Sequence, residues 1–209
     1  MARIEDYAII GDLNTAALVG RSGSIDWMCL PRFDSPACFA ALLHTPDAGR
    51  WLLAPAGTAD GGDCTRRQYR EDTLILETEW EVDGGSVRVL DFMPVRDDAV
   101  DLVRIVEGVS GEVTMQMELV LRFDYGRVVP WVRHGEHGIS AVAGPDSAYL
   151  TTPAPLEGRD KRTFSEFTVR AGERVPFVLR WAPSHEREPR RINPVPALAA
   201  TESCWLERM

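Results

Sequence analysis

No apolar run in this sequence approaches the ~20 residues a helix needs to cross a bilayer. The opening Met1-Ala2-Arg3-Ile4-Glu5-Asp6 lacks the apolar core of a secretory signal, which points to the cytoplasm. Cysteine is scarce. Cys29, Cys38, Cys64 and Cys204 show no C-x-x-C spacing, so reduced, buried thiols are expected rather than a disulfide framework or a thiolate metal site. Basic charge is also short: 23 Lys and Arg against 32 Asp and Glu leave a net charge of −9. Neither nucleic acid nor an anionic membrane is then an expected partner, since each requires a basic face. No P-loop or dinucleotide glycine pattern occurs, so nucleotide chemistry has no support and no cofactor is expected.

Histidine is equally sparse, with 4 in the chain. His134 and His137 are the only close pair, and Gly135 and Gly138 beside them place them in a turn instead of on a helix face, so no metal site is expected. Gly20-Arg21-Ser22-Gly23-Ser24 imitates a serine elbow, but it ends in Ser24 and no strand-turn-helix follows. Glu77, Glu79 and Glu81 fall on one face of a strand and are expected to be solvated. No catalytic residue is assigned to the chain.

What the sequence has in quantity is strand periodicity. Leu74, Leu76, Thr78, Trp80 and Val82 alternate with Ile75 and the three glutamates, and Asp83-Gly84-Gly85 supplies a hairpin turn into a strand over 86–93. A further strand runs from Leu102 to Val109, where Ser110-Gly111 is expected to turn the chain. Val113, Met115, Met117, Leu119, Leu121 and Phe123 then hold one parity, and more strands follow at 128–133, 139–143, 148–152, 164–170 and 175–181. Short turns between them imply antiparallel pairing. So many strands cannot remain one flat open sheet, and the pattern predicts an all-β fold, a large antiparallel β-sandwich. Pro183, Pro189, Pro194 and Pro196 mark an extended connector. Residues 1–182 therefore read as the sandwich domain, and 183–209 as a connector and the start of a linker helix with Leu198, Thr201, Trp205 and Met209 on one stripe.

The segment Gly11 to Pro36 carries the most information. Thr15 to Val19 and Ile25 to Leu30 form a hairpin around Arg21-Ser22-Gly23-Ser24, and Pro31 ends the second strand. Ser35-Pro36 suits the start of a short helix over Ala37 to Leu43 near the N-terminus. Between them, Arg32, Phe33 and Asp34 set a cation, a ring and a carboxylate side by side. Asp124, Tyr125, Arg127 and Trp131 repeat that composition. Sugar sites pair an aromatic platform with charged hydrogen-bonding groups, so Arg32, Phe33, Asp34, Tyr125 and Trp131 are the candidate substrate-binding residues. The competing reading makes Phe33 and Trp131 core or interdomain packing and the charges local caps.

This segment resembles the amino-terminal domain of glycoside hydrolase family 15 enzymes of the bacterial trehalase and glucoamylase type. The resemblance continues in Val89-Leu90-Asp91-Phe92-Met93-Pro94, in Asp101-Leu102-Val103-Arg104-Ile105-Val106-Glu107-Gly108, in Arg122 through Trp131, and in Gly172-Glu173-Arg174-Val175-Pro176-Phe177. It implies a supersandwich fold and, as partner, a C-terminal (α/α)6 catalytic barrel of the same chain carrying two catalytic glutamates. The terminal helix pattern stops without a cap, and the expectation is an excised amino-terminal domain. The intact enzyme would hydrolyse an α-glucoside with inversion, trehalose first and malto-oligosaccharides second. A stand-alone carbohydrate-binding module and a homo-oligomerisation domain are the alternatives.

Overall fold

In the computed structural model, which describes residues 3–58, 62–95, 99–188 and 190–208, fifteen strands form one hydrogen-bonded sheet. Met1, Ala2, Pro189 and Met209, named above, lie outside the described residues. The chain runs through β1 (Ala8–Gly11), β2 (Ala16–Val19), β3 (Ser24–Cys29), β4 (Ala37–Phe39), β5 (Arg50–Pro55), β6 (Arg66–Tyr69), β7 (Leu76–Val82) and β8 (Gly85–Phe92). β9 (Val100–Val120) is a single strand of 21 residues. After it come β10 (Trp131–Gly135), β11 (Gly138–Ala143), β12 (Asp146–Thr151), β13 (Glu157–Arg159), β14 (Arg162–Arg170), β15 (Arg174–Pro183) and the helix α1 (Pro194–Leu206). Each strand pairing is antiparallel, as the short turns imply.

β9 turns this one sheet into a sandwich. Its first half pairs with β8 and β15, and its second half pairs with β5 and β14. One layer therefore holds β1 to β5, the second half of β9, β14 and β13. The other holds β6 to β8, the first half of β9, β15, β12, β11 and β10. The turn expected at Ser110-Gly111 does not form. Gly111 instead sits at φ +61° inside the continuous strand, where a Cβ would lie 1.9 Å from the Gly84 carbonyl oxygen. A glycine within strand pattern fits a close crossing as well as it fits a turn, and here the neighbouring strand presses too close for any side chain.

The parity read from Val113 to Phe123 is the interior face, and all six of its apolar residues are buried. They pack with Ile10, Val19, Ile25 and Leu53 from their own layer and with Leu102, Val106, Phe177 and Leu179 from the other. Phe167 and Phe177 meet across the layers, with ring centroids 5.5 Å apart. A second apolar cluster lies on the outer face of the β8–β9–β15 layer, where Ile75, Leu90, Phe92, Val103, Ile105 and Val178 are covered by Leu198 of α1. Asn193 caps that helix through its side chain, which accepts from the Val195 amide at 3.2 Å, and Pro194 occupies its first turn. The connector thus folds back on the sandwich.

Two expectations are corrected. Ala37 to Leu43 is not a helix: Ala37–Phe39 is β4, paired to β3, and only Ala41–Leu43 makes a 3-10 turn. Ala37 and Phe39 are fully buried, and pairing with β3 outweighs the local preference of an alanine-rich run. The acidic face of β7 is not solvated at Glu77, which is 8% exposed and accepts from Arg70 at 2.8 Å, while Glu79 pairs with Arg88 at 2.7 Å. Arg70 also reaches Glu202 of α1 at 3.6 Å. The period-2 alternation was sound, but the helix and the arginines occupy the face that water was expected to fill.

Deep in the sandwich, Arg104 of β9 is 0% exposed. Its Nε and Nη2 donate to both carboxylate oxygens of Asp91 on β8, at 2.8 and 3.2 Å. Nη1 donates to the Trp51 carbonyl at 2.8 Å and Nη2 to the Gly23 carbonyl at 2.7 Å, both in the opposite layer. The guanidinium carbon lies 5.3 Å from the Trp51 ring centroid. Removing one member of such a pair strands a buried charge, which costs about 3–5 kcal/mol. Arg104→Met is expected to lower unfolding free energy by about that much in urea titration, and adding Asp91→Leu to restore a large part of it.

Burial alone raises the Glu77 pKa, but hydrogen bonds from Arg70 and Gln68 outweigh it and hold the carboxyl below its ordinary value. A depressed folded-state pKa contributes stability that is complete above the unfolded carboxylate range and is lost as pH falls through the folded value. The stability gap between the native chain and Glu77→Gln, measured by thermal unfolding, is therefore expected to be greatest at neutral pH and to close in acid.

Candidate functional site

One end of the β1–β5 layer is built from three loops. In the β1–β2 turn, Asp12 Oδ1 accepts the amides of Asn14 and Thr15 at 2.9 and 2.8 Å, and Thr15 Oγ1 donates to the Cys29 carbonyl at 2.6 Å. These bonds pin the turn to the end of β3 and place Leu13 at φ +74° with its side chain 51% exposed. A half-exposed leucine in left-handed backbone gains little from burial and carries strain of about 1–3 kcal/mol. After β3 the Leu30-Pro31 bond is cis, and the Phe33 amide donates to the Asn14 carbonyl at 2.9 Å. Arg32 grips Asp34 in a fork, Nε to Oδ1 at 2.9 Å and Nη2 to Oδ2 at 3.2 Å, and Phe33 between them is 61% exposed.

The third loop is closed by the Phe123–Val128 bridge. Asp124, Tyr125 and Gly126 take φ of +50°, +56° and +91°, and the Tyr125 amide donates to the Ala37 carbonyl at 3.0 Å. The Tyr125 ring is 42% exposed and tilts 43° against Trp27, at 6.2 Å between centroids. Arg32, Phe33, Asp34 and Tyr125 therefore share one end of the sandwich with Leu13. Trp131 is elsewhere. It lies on β10, the outermost strand of the other layer, opposite Val142, and is 72% exposed. Neither Phe33 nor Trp131 is core. Sequence reading missed Leu13, although the turn-forming Asp12 and Asn14 around an apolar residue were the available signal.

A cavity of about 730 Å³ lies on the outer face of the same layer. Across β5, β9 and β14, Leu52, Glu118 and Phe164 are register partners, and so are Ala54, Gln116 and Glu166. Glu118 is buried. Its Oε2 accepts from Arg50 at 2.6 and 2.8 Å and its Oε1 from Arg162 at 2.5 Å, while Arg162 also bonds Asp47. The hydrogen bond to Glu118 raises the Arg162 pKa, so this guanidinium is charged at every relevant pH. Arginines hold both Glu118 oxygens, which fixes the orientation of the carboxylate. The Arg159 guanidinium covers Phe164 at 4.7 Å.

His134 lies on β10 rather than in the expected turn, His137 lies in the β10–β11 turn, and His137 Nε2 is 3.8 Å from Glu136 Oε1. Among the described residues no group of three His, Cys, Asp or Glu side chains is placed to hold a metal ion. Cys29, Cys38 and Cys64 are buried and Cys204 half-buried, and all four are free thiols. No helix among the described residues is long and apolar enough to cross a membrane.

Fold and loops together define a class: a large antiparallel β-sandwich domain with a loop-built apolar end and a polar outer groove. The chain belongs to the family of trehalase-like N-terminal domains, whose description, "Trehalase-like, N-terminal", fits residues 1–158. It is similar to a trehalase of Mycolicibacterium smegmatis, 33% identical over 208 residues, covering 86% of this chain and 30% of that protein. A Mycobacterium tuberculosis trehalase is 31% identical over 231 residues, covering 97% of this chain and 33% of that protein. A Thermoplasma volcanium trehalase is 30% identical over 167 residues, covering 78% and 26%. The chain thus spans about a third or less of the length of these curated relatives.

If the Leu13 conformation serves contact and not folding, relieving it stabilises the domain. Leu13→Asn, which tolerates left-handed backbone, is expected to gain up to about 1 kcal/mol in urea unfolding. A loss of stability would show that the exposed leucine is held by packing after all.

Proposed function

We propose that this chain is the non-catalytic amino-terminal domain of a longer, cytoplasmic family 15 glycoside hydrolase whose substrate is trehalose, with malto-oligosaccharides as the second choice. Residues 1–182 form the sandwich, and 183–209 lead into an (α/α)6 barrel of the same polypeptide. Two barrel glutamates do the chemistry with inversion. One protonates the leaving oxygen, and the other activates water on the opposite face of the sugar, with the two carboxyls ~6.5–9.5 Å apart. The domain buttresses that barrel.

The observation that carries this reading is the length mismatch with relatives named trehalases, which leaves roughly two thirds of a typical relative unaccounted for. The apolar loop end supports it, because exposed Leu13, Phe33 and Tyr125 are a cost to an isolated domain and an asset to one that docks. In this role Phe33 and Tyr125 offer ring faces at the entrance of the glucose pocket. Arg32 and Asp34, already fixed to one another, hydrogen-bond sugar hydroxyls, while Trp131, on the outermost strand of the other layer, offers a separate ring outside this surface. A homo-oligomer is the second reading, favoured by the exposed cross-strand pair of Trp131 on the outermost strand β10 and Val142 on β11.

The purified 209-residue chain is expected to release no glucose from trehalose or maltose, whereas the full-length enzyme does. In that enzyme Phe33→Ala and Tyr125→Ala are expected to raise KM for trehalose about tenfold with a smaller change in kcat, the signature of lost ground-state binding. Turnover by the chain alone overturns the non-catalytic assignment, and unchanged kcat/KM in both variants overturns the pocket role.

A further inference from the structure

We infer that the groove on the outer face of β5, β9 and β14 is a second, non-catalytic binding site for a neutral saccharide. The inference is independent of the role proposed for the loop end. The two outer faces of the sandwich are treated differently: α1 covers the β8–β9–β15 face with apolar side chains, while the β5–β9–β14 face is left open and polar. Its volume of about 730 Å³ falls within the ~300–1,000 Å³ range of small-molecule pockets. The floor is three strands across, about 10 Å by the usual strand spacing, which suits pyranose rings laid along β9.

The chemistry of the lining selects the ligand class. The lining carries Arg50 and Arg159 against Glu118, Glu157 and Glu166, and Arg50 is already held by Glu118, so an anionic ligand finds no complementary field. What the groove does present is planar hydrogen-bonding groups in fixed positions. Glu118 is immobilised by two arginines, and the Gln116 amide is oriented by the Thr58 carbonyl at 3.4 Å. Glu157 and Glu166 are exposed and make no ion pair among the described residues. Vicinal hydroxyls, each both donor and acceptor, match such carboxylate, amide and guanidinium edges. Leu52, Leu156 and Phe164, whose ring also carries the Arg159 guanidinium, supply the apolar contact that a sugar needs.

The test is a titration of trehalose and of maltose into the 15N-labelled chain, following amide shifts, with glycerol as the nonspecific polyol. The expected result is saturable shifts at Gln116, Glu118 and residues 164–166 with a disaccharide and not with glycerol, and an affinity weakened about fivefold by Gln116→Ala and by Glu166→Ala, one hydrogen bond's worth each. Glu166 is exposed, and Gln116→Ala gives up only the long bond to the Thr58 carbonyl at 3.4 Å, so folding is retained. Absence of shifts, shifts confined to the Arg32 or Tyr125 loops, an equal response to glycerol, or an affinity indifferent to both substitutions overturns the site. Because the readout is binding by this chain alone, a failure here leaves the proposed role in hydrolysis untouched, and the reverse also holds.

Discussion

Everything in the sandwich turns on a guanidinium with no access to water. Arg104 sits where the first half of β9 faces the opposite layer, and it satisfies Asp91 beside it and two backbone carbonyls across from it. An apolar side chain there would hold the layers at whatever spacing packing allowed. A fork of donors aimed at fixed oxygens sets that spacing and the register between β9, β5 and the β2–β3 turn. The turn is shaped to match: Gly23 stands at φ +76°, and a Cβ on it would meet the Leu53 carbonyl at 2.4 Å. The carbonyl that Arg104 needs can reach it only because this residue has no side chain.

With that staple in place, β9 belongs to both layers, and the crossing at Gly111 divides the molecule into two kinds of surface. The β8–β9–β15 layer is apolar on both faces, so it requires α1 as a lid. The β5–β9–β14 layer is apolar inside, and outside it sets Leu52 and Phe164 beside the network of Arg50, Glu118, Arg162 and Asp47, whose charges match without a cover. Loops projecting from the end of the β1–β5 layer are then free to expose Leu13, Phe33 and Tyr125. Rigid strands beneath and loops above is the usual division between scaffold and contact surface.

Much of the strand layout was legible because a half-buried strand writes its exposure into alternate residues. The parity from Val113 to Phe123 and the hairpin at Asp83-Gly84-Gly85 are cases in point. β1, β5 and β6 were not legible. β5 is almost wholly buried, and β6 carries Arg66, Arg67 and Gln68, so neither alternates. Of the candidate binding residues, the sequence placed Arg32, Phe33 and Asp34 in a loop correctly. It had no means of showing that Tyr125 joins them at one end while Trp131 stands apart on an outer strand.

The sequence by itself determined the all-β class, the antiparallel pairing and the family resemblance, because these rest on residues near one another in the chain. Only the tertiary structure decided which charges are buried and with whom. Asp91 and Arg104 read as polar interruptions in two apolar strands, and Glu118 as one carboxylate among many. Their partners are Gly23, Trp51, Arg50 and Arg162, far away in sequence, and electrostatic pairing depends on distance in space, which periodicity does not encode.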